Sequence, residues 1–183
     1  MEAATEIYKI GDYVVYGNTG VCRVEEVISP GHESWKKGFD KTRSYYRLKP
    51  LYQTEIIYTP TDNDKVFMRP VISKEEAEEL IDMIPAVRAE AYHADNIQYL
   101  KNHYRSVTEK YECSGLIELT MSIYEKKKNL EQNKRKLGEV DGKFMRQAEE
   151  MLFGELAVAL GIDKKDVQGY IAERVEKSAC KAE

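Results

Sequence analysis

The hydrophobic pattern changes period near residue 72, and this change limits the chain to two different kinds of structure in series. Before it, apolar residues come in short runs separated by turn residues. After it, they recur three and four positions apart. A strand-rich first part, 1–72, followed by an all-helical second part, 73–183, is therefore expected. This is an α+β organisation in which each part has only a modest core of its own.

In the first part, Val14, Val15 and Tyr16 form a short apolar run, and Gly17-Asn18-Thr19-Gly20 supplies the turn. Residues 21–28 continue as a strand. A charged stretch with Pro30-Gly31 and Gly38 reads as a loop. Tyr45–Lys49 and Glu55–Tyr58 are further strands rich in aromatic and β-branched residues; Pro60 follows the second, and Val66–Met68 is a last short one. Several short strands with tight turns predict a small curled sheet or partly closed barrel. Trp35, the only tryptophan, sits in the polar segment HESWKKGFD, where it packs into the core or joins an interface.

In the second part, Ser73 and Glu76 have capping-box spacing, and Ile72 with Ala77 has that of a hydrophobic staple. Leu80, Ile81 and Ile84 share one face, and Pro85 stops the helix. Asp95 and Gln98 offer a second box before Tyr99, Leu100, His103, Tyr104, Val107 and Tyr111. Ser114 caps a third helix, with the stripe Leu116, Leu119, Ile123, Leu130 and Leu137 and Gly138 as terminator. Asp141 starts a fourth, with Phe144, Ala148, Met151, Leu152, Leu156 and Ala159 inside and Gly161 at its end. Ile162, Asp163, Asp166 and Val167 make a final staple and box.

The polar residues argue for binding rather than catalysis. The three histidines, His32, His93 and His103, form no HExxH and no nucleophile–base arrangement. The three cysteines include no CxxC pair, so no thiolate metal site is indicated and no cofactor is expected. No apolar run approaches the roughly 20 residues that span a bilayer, and MEAATEIYK has no signal-peptide core. A cytoplasmic protein without membrane or small-molecule partner is the expectation. The formal net charge is −4, which argues against a tight, free-standing nucleic-acid binder. Local phosphate contact is still available between Glu125 and Lys136, where Lys127 and Lys134 lie near each other on helical spacing; the plainer role is a solvated helix face. Lys101 and Arg105 flank Leu100 and Tyr104, which either anchor the core or wedge against an opened base step. In the first part, Arg47, Glu55 and Ile57 either line an edge strand that pairs with a partner's strand or serve within the sheet.

Three segments carry a resemblance. YKIGDYVVYGNTGVCRVEEV, through Gly11, Asp12, Val14, Val15, Tyr16, Gly20, Glu25 and Glu26, resembles the start of the CarD/CdnL family. IIYTPTDNDKVFMRPVIS is similar to that family's strand-Pro-x-x-Asn segment, through Pro60, Asn63 and Arg69. Ser114-Gly115-Leu116 and KFMRQAEEMLFGELAVALG resemble its C-terminal domain. The resemblance implies a Tudor-like β-barrel over 1–72 that binds the RNA polymerase β subunit, with Arg47, Glu55, Ile57 and Tyr58 facing it. It implies a helical domain that meets promoter DNA at the upstream edge of the transcription bubble and stabilises the open complex. Leu100, Lys101, Tyr104, Arg105, Lys127 and Lys134 are the DNA-side residues on this reading. Two other functions are compatible with the same residues: a protein-only polymerase scaffold and a stand-alone DNA-binding regulator. The chain departs from the family in two places. NIQYLKNHYRSVTEKYECSG lacks the wedge tryptophan, leaving Leu100, Tyr99 or Tyr104 for its space, and the Ser29–Arg43 loop is long and charged.

Overall fold

The structure is a computed structural model that describes residues 8–32 and 39–179, with side chains to 177. Trp35 and Cys180 lie outside the described residues. The chain divides into two compact units, Met1–Val71 and Ile72–Glu183.

The first unit is one antiparallel sheet. Its strands are β1 (Tyr13–Tyr16), β2 (Gly20–Ile28), β3 (Tyr45–Pro50), β4 (Ile57–Pro60) and β5 (Met68–Pro70), in the order β4-β3-β2-β1-β5. Gly20 stands at φ 81° and ψ −145° where the β1–β2 turn re-enters the ladder, a conformation open essentially to glycine alone. Val14, Cys22, Val24, Tyr46 and Leu48 form the buried centre, from alternate positions on three neighbouring strands.

The expected barrel is not formed: the sheet is open, with β4 and β5 as its two separate edges. Both edge strands start two residues later than the sequence pattern suggests, and both end on a proline. Thr61 N–H donates to Ser44 O at 3.0 Å and Val71 N–H to Tyr13 O at 3.1 Å. Backbone groups alternate sides along a strand, so the prolines just before these residues direct their missing N–H outward. That is the position a proline tolerates at the end of an edge strand. Strands of four and three residues that end this way offer no continuous ladder for closure.

The second unit is a bundle of α1 (Lys74–Met83), α2 (Ile97–Thr108), α3 (Cys113–Gln132), α4 (Glu139–Leu160) and α5 (Val167–Ala179). Helix α1 begins with the capping box anticipated: Ser73 Oγ accepts from Glu76 N–H at 3.1 Å, and Ser73 N–H donates to the Glu76 carboxylate at 2.7 Å. Such a cap is worth about 1 kcal/mol. The other caps differ. Asn96, not Asp95, caps α2 by accepting from Gln98 N–H at 2.6 Å. Helix α3 starts before Ser114, with Glu112 as its N-cap and no side-chain bond there. Asp163 caps nothing with its side chain, and a short 3-10 turn, Lys164–Asp166, leads into α5.

Helix α3 also stops earlier than Gly138. Lys134 adopts φ 53°; its N–H donates to Glu131 O at 2.9 Å, and Arg135 N–H donates to Leu130 O at 2.8 Å. This is the paired-bond helix stop usually built on glycine. Gly138 instead stands at the start of α4. Because a side chain in the left-handed region costs about 1–2 kcal/mol, Lys134→Gly is expected to raise stability by about 0.5–1 kcal/mol after the entropy cost of glycine. Urea unfolding of the two proteins checks this, and a loss of stability would contradict it.

Candidate functional site

Two surfaces collect the polar residues singled out by the sequence, one in each unit. In the sheet, the register of β2 against β3 shifts between Val24 and Glu26, so Glu25 is the extra residue of a bulge. Bulges re-aim side chains, and here Glu25 meets Arg47 at 2.8 Å and Lys49 at 3.9 Å. Arg47 is half-buried and pairs across the ladder with Tyr58 of β4. Ile57 is opposite Leu48 and half-buried; Glu55 is exposed and lies before the strand rather than in it. The Tyr58 ring lies 5.4 Å from that of Phe39. Arg47 and Tyr58 thus face each other across the ladder on one side of the sheet, Ile57 packs on the core side, and Glu55 is on the approach to the strand. Cys22 is fully buried, and burial pushes its thiol up to about 12. It is held as a protonated core side chain.

In the helical unit the DNA-side candidates divide. Leu100 is 8% exposed and Tyr104 0%, so both are core residues and neither presents a face to a large partner. Tyr99, one position away, is 67% exposed, and Ile97 is also exposed. Lys101 is half-buried and Arg105 exposed on the same helix. His103 stacks on Tyr92 with centroids 3.8 Å apart, and burial holds its pKa below the ordinary histidine value. Lys127 remains on the α3 surface, 3.9 Å from Glu131, while Lys128 lies 3.8 Å from Glu125. Both pairs are exposed enough to be weak. Lys134 is exposed in the loop after α3, not on the helix. Arg135, Lys136, Lys143 and Arg146 are exposed as well, the last two on α4.

Sequence reasoning counted Lys126 with that surface. The structure buries it: its ammonium donates to Asp141 Oδ1 at 2.8 Å, and the Tyr104 hydroxyl donates to the same oxygen at 2.6 Å. Burial, and then the Asp141 hydrogen bond, raise the Tyr104 pKa. Lys126 continues the stripe Leu119, Ile123, Leu130, and that position was the available signal for its burial. Glu155 is a second missed group. It is 2% exposed, and its carboxyl accepts from Ile72 N–H and from the Cys113 thiol, each at 3.1 Å.

Among the described residues no group of three or more His, Cys, Asp or Glu side chains is placed to hold a metal ion. No helix among them is long and apolar enough to cross a membrane. Residues 8–72 match the family model described as the CarD-like/TRCF RID domain. No curated protein matches the chain. The matched domain belongs to a family that is generally non-catalytic, and it supports a role in transcription regulation associated with RNA polymerase. Residues 8–72, whose open sheet carries the GD-VVY strand and the Glu25 bulge, match the CarD-like/TRCF RID domain, and that match supports assigning the chain to the CarD/CdnL family.

Proposed function

We propose that this protein is a non-enzymatic, cytoplasmic transcription regulator that binds the β subunit of RNA polymerase through its sheet and modulates promoter open-complex stability through its helical unit. The observation that carries this reading is the RID-domain match over a sheet that keeps β4 at its edge. An edge strand can be extended by a partner's strand through main-chain hydrogen bonds, with neighbouring side chains giving selectivity. Arg47 and Tyr58 are the neighbours on one face and Ile57 on the other, with Glu55 at the approach. On the DNA side, Tyr99, exposed where Leu100 and Tyr104 are buried, takes the wedge part among the three, and Lys101 and Arg105 are the cations of the same helix. Lys127, Lys134 and the cations after Lys134 contact phosphates. Such contacts position a protein without reading sequence, and tethering to the polymerase makes a weak DNA surface effective. A protein that holds the opened state more tightly than the closed one shifts the population toward opening.

The test is the lifetime of open complexes formed by purified polymerase on one promoter, with and without this protein. A change in lifetime together with weak binding to free duplex supports the reading. Lys134→Glu combined with Lys143→Glu is expected to remove most of the lifetime change while polymerase affinity stays within about twofold, because phosphate contacts act separately from the protein–protein anchor. An unchanged lifetime effect in this variant would favour a protein-only scaffold. Tight duplex binding without polymerase would favour a stand-alone DNA regulator.

A further inference from the structure

Within the sheet unit, a depression of about 340 Å³ is lined by Ile10, Arg23, Glu25 and Arg47. Two departures from regular strand flank it. Gly11, at φ 98°, bends the chain just before β1 while its N–H donates to Val24 O at 2.8 Å. On β2, the bulge puts Val24 opposite Leu48 and Glu26 opposite Arg47, which leaves Glu25 as the extra side chain.

The charges around this depression are unevenly spent. The Glu25 carboxylate is engaged by Arg47 at 2.8 Å and Lys49 at 3.9 Å. Arg23 stands between Tyr13 of β1 and Lys49 of β3 in one cross-strand row. It is exposed and forms no salt bridge among the described residues. Like charges directly opposite on neighbouring strands destabilise a sheet, so the Arg23–Lys49 pair is relieved when an anion meets it. Two exposed apolar side chains border the same place, Ile10 at 65% and Tyr13 at 40%. They decide the class of anion. A phosphate backbone brings charge but nothing for Ile10. A peptide segment brings both a carboxylate and an apolar side chain, and arginine and tyrosine are residues that anchor protein interfaces.

We propose that this depression docks a protein segment in which an Asp or Glu lies beside an apolar residue, the carboxylate meeting Arg23 next to Lys49 and the apolar side chain resting on Ile10 and Tyr13. The site borders Arg47 but centres on β1 and β2, which β3 separates from the β4 edge. It therefore goes beyond the proposed polymerase contact and does not depend on it.

The test is titration of the full chain with a blocked Leu-Glu-Leu-Glu peptide, followed by amide chemical shifts. Shifts are expected to concentrate at Ile10, Tyr13, Arg23 and Lys49. A blocked Leu-Lys-Leu-Lys peptide is expected to bind at least about fivefold more weakly, because like charges then face each other. Arg23→Glu is expected to weaken binding of the acidic peptide by at least about tenfold, and Ile10→Ser by about threefold through lost apolar contact. Lys65→Glu makes the same change of charge at another exposed position of the sheet unit and is expected to stay within about twofold. All three positions are exposed, and unchanged core amide shifts establish that each variant is folded. Shifts centred elsewhere, equal binding of the two peptides, or equal weakening by Arg23→Glu and Lys65→Glu would overturn the proposal. Larger shifts at these amides with a short DNA duplex than with the acidic peptide would assign the face to nucleic acid and overturn it as well.

Discussion

Asp141→Ala is expected to cost the helical unit about 3–5 kcal/mol, the range for removing one partner of a buried ion pair. Lys126 is 8% exposed and Tyr104 fully buried, so neither can turn to water for a replacement acceptor. Both donate to the same Asp141 oxygen, at 2.8 and 2.6 Å, and both would lose it together. The three residues come from α3, α2 and α4, so the damage spreads across the bundle's centre rather than one helix. Against a total stability of about 5–15 kcal/mol for a domain, this is a large fraction. The same physics gives a second expectation. Replacing all three together, Lys126→Met, Asp141→Leu and Tyr104→Phe, removes the desolvation penalty along with the bonds, and is expected to recover stability to within about 1–2 kcal/mol of the unaltered protein or to exceed it. Guanidinium unfolding, followed by far-ultraviolet circular dichroism, measures both. An Asp141→Ala loss below about 1 kcal/mol would mean that the pair contributes no more than a surface salt bridge does.

What could be read from the sequence was what neighbouring residues decide. The Ser73–Glu76 box forms because both partners lie within one turn. The α4 stripe from Phe144 to Leu156 is buried because helical period alone puts those residues on one side. Gly161 ends α4 in the left-handed conformation expected of it. What could not be read depends on residues distant in the chain. Whether a sheet closes is decided by its first and last strands meeting, and nothing local to β4 or β5 announces that each remains a separate edge. Tyr99 and Leu100 are adjacent and both apolar enough for a core, so only packing decides that Leu100 turns inward and Tyr99 remains exposed. Lys126 and Glu155 sat on apolar stripes in plain view. Composition favours placing such residues at a surface, and only the partners Asp141, Ile72 and Cys113, 15 to 83 positions away, reveal why they are inside. At the end of α3, the positive φ of Lys134 overrode the glycine signal at 138, because a helix can stop on a non-glycine residue when its carbonyls find the two bonds they need.

Supplying residues 1–71 and 72–183 as separate chains is expected to abolish the effect on open complexes at concentrations where the intact protein saturates. The helical half would need about 10²–10⁴-fold more protein to act, the usual gain from linking two weak contacts. The reason is electrostatic as well as geometric. The whole chain carries a net charge of −4, so on the proposed function its attraction to DNA at physiological salt comes from local cations such as those near Lys134 and on α2. A patch of a few cations releases few counterions and binds duplex feebly alone. On the proposed function, covalent continuity with a domain held on the polymerase converts that contact into an intramolecular one. The sheet half alone should still compete with the intact protein for polymerase, since its edge strand and the Glu25–Arg47 pair lie entirely within it. Circular dichroism of each half establishes that both are folded before the comparison. If the folded helical half prolonged or shortened open-complex life as well as the intact chain did at equal concentration, the sheet would be no anchor, and recognition would have to reside in the helices themselves.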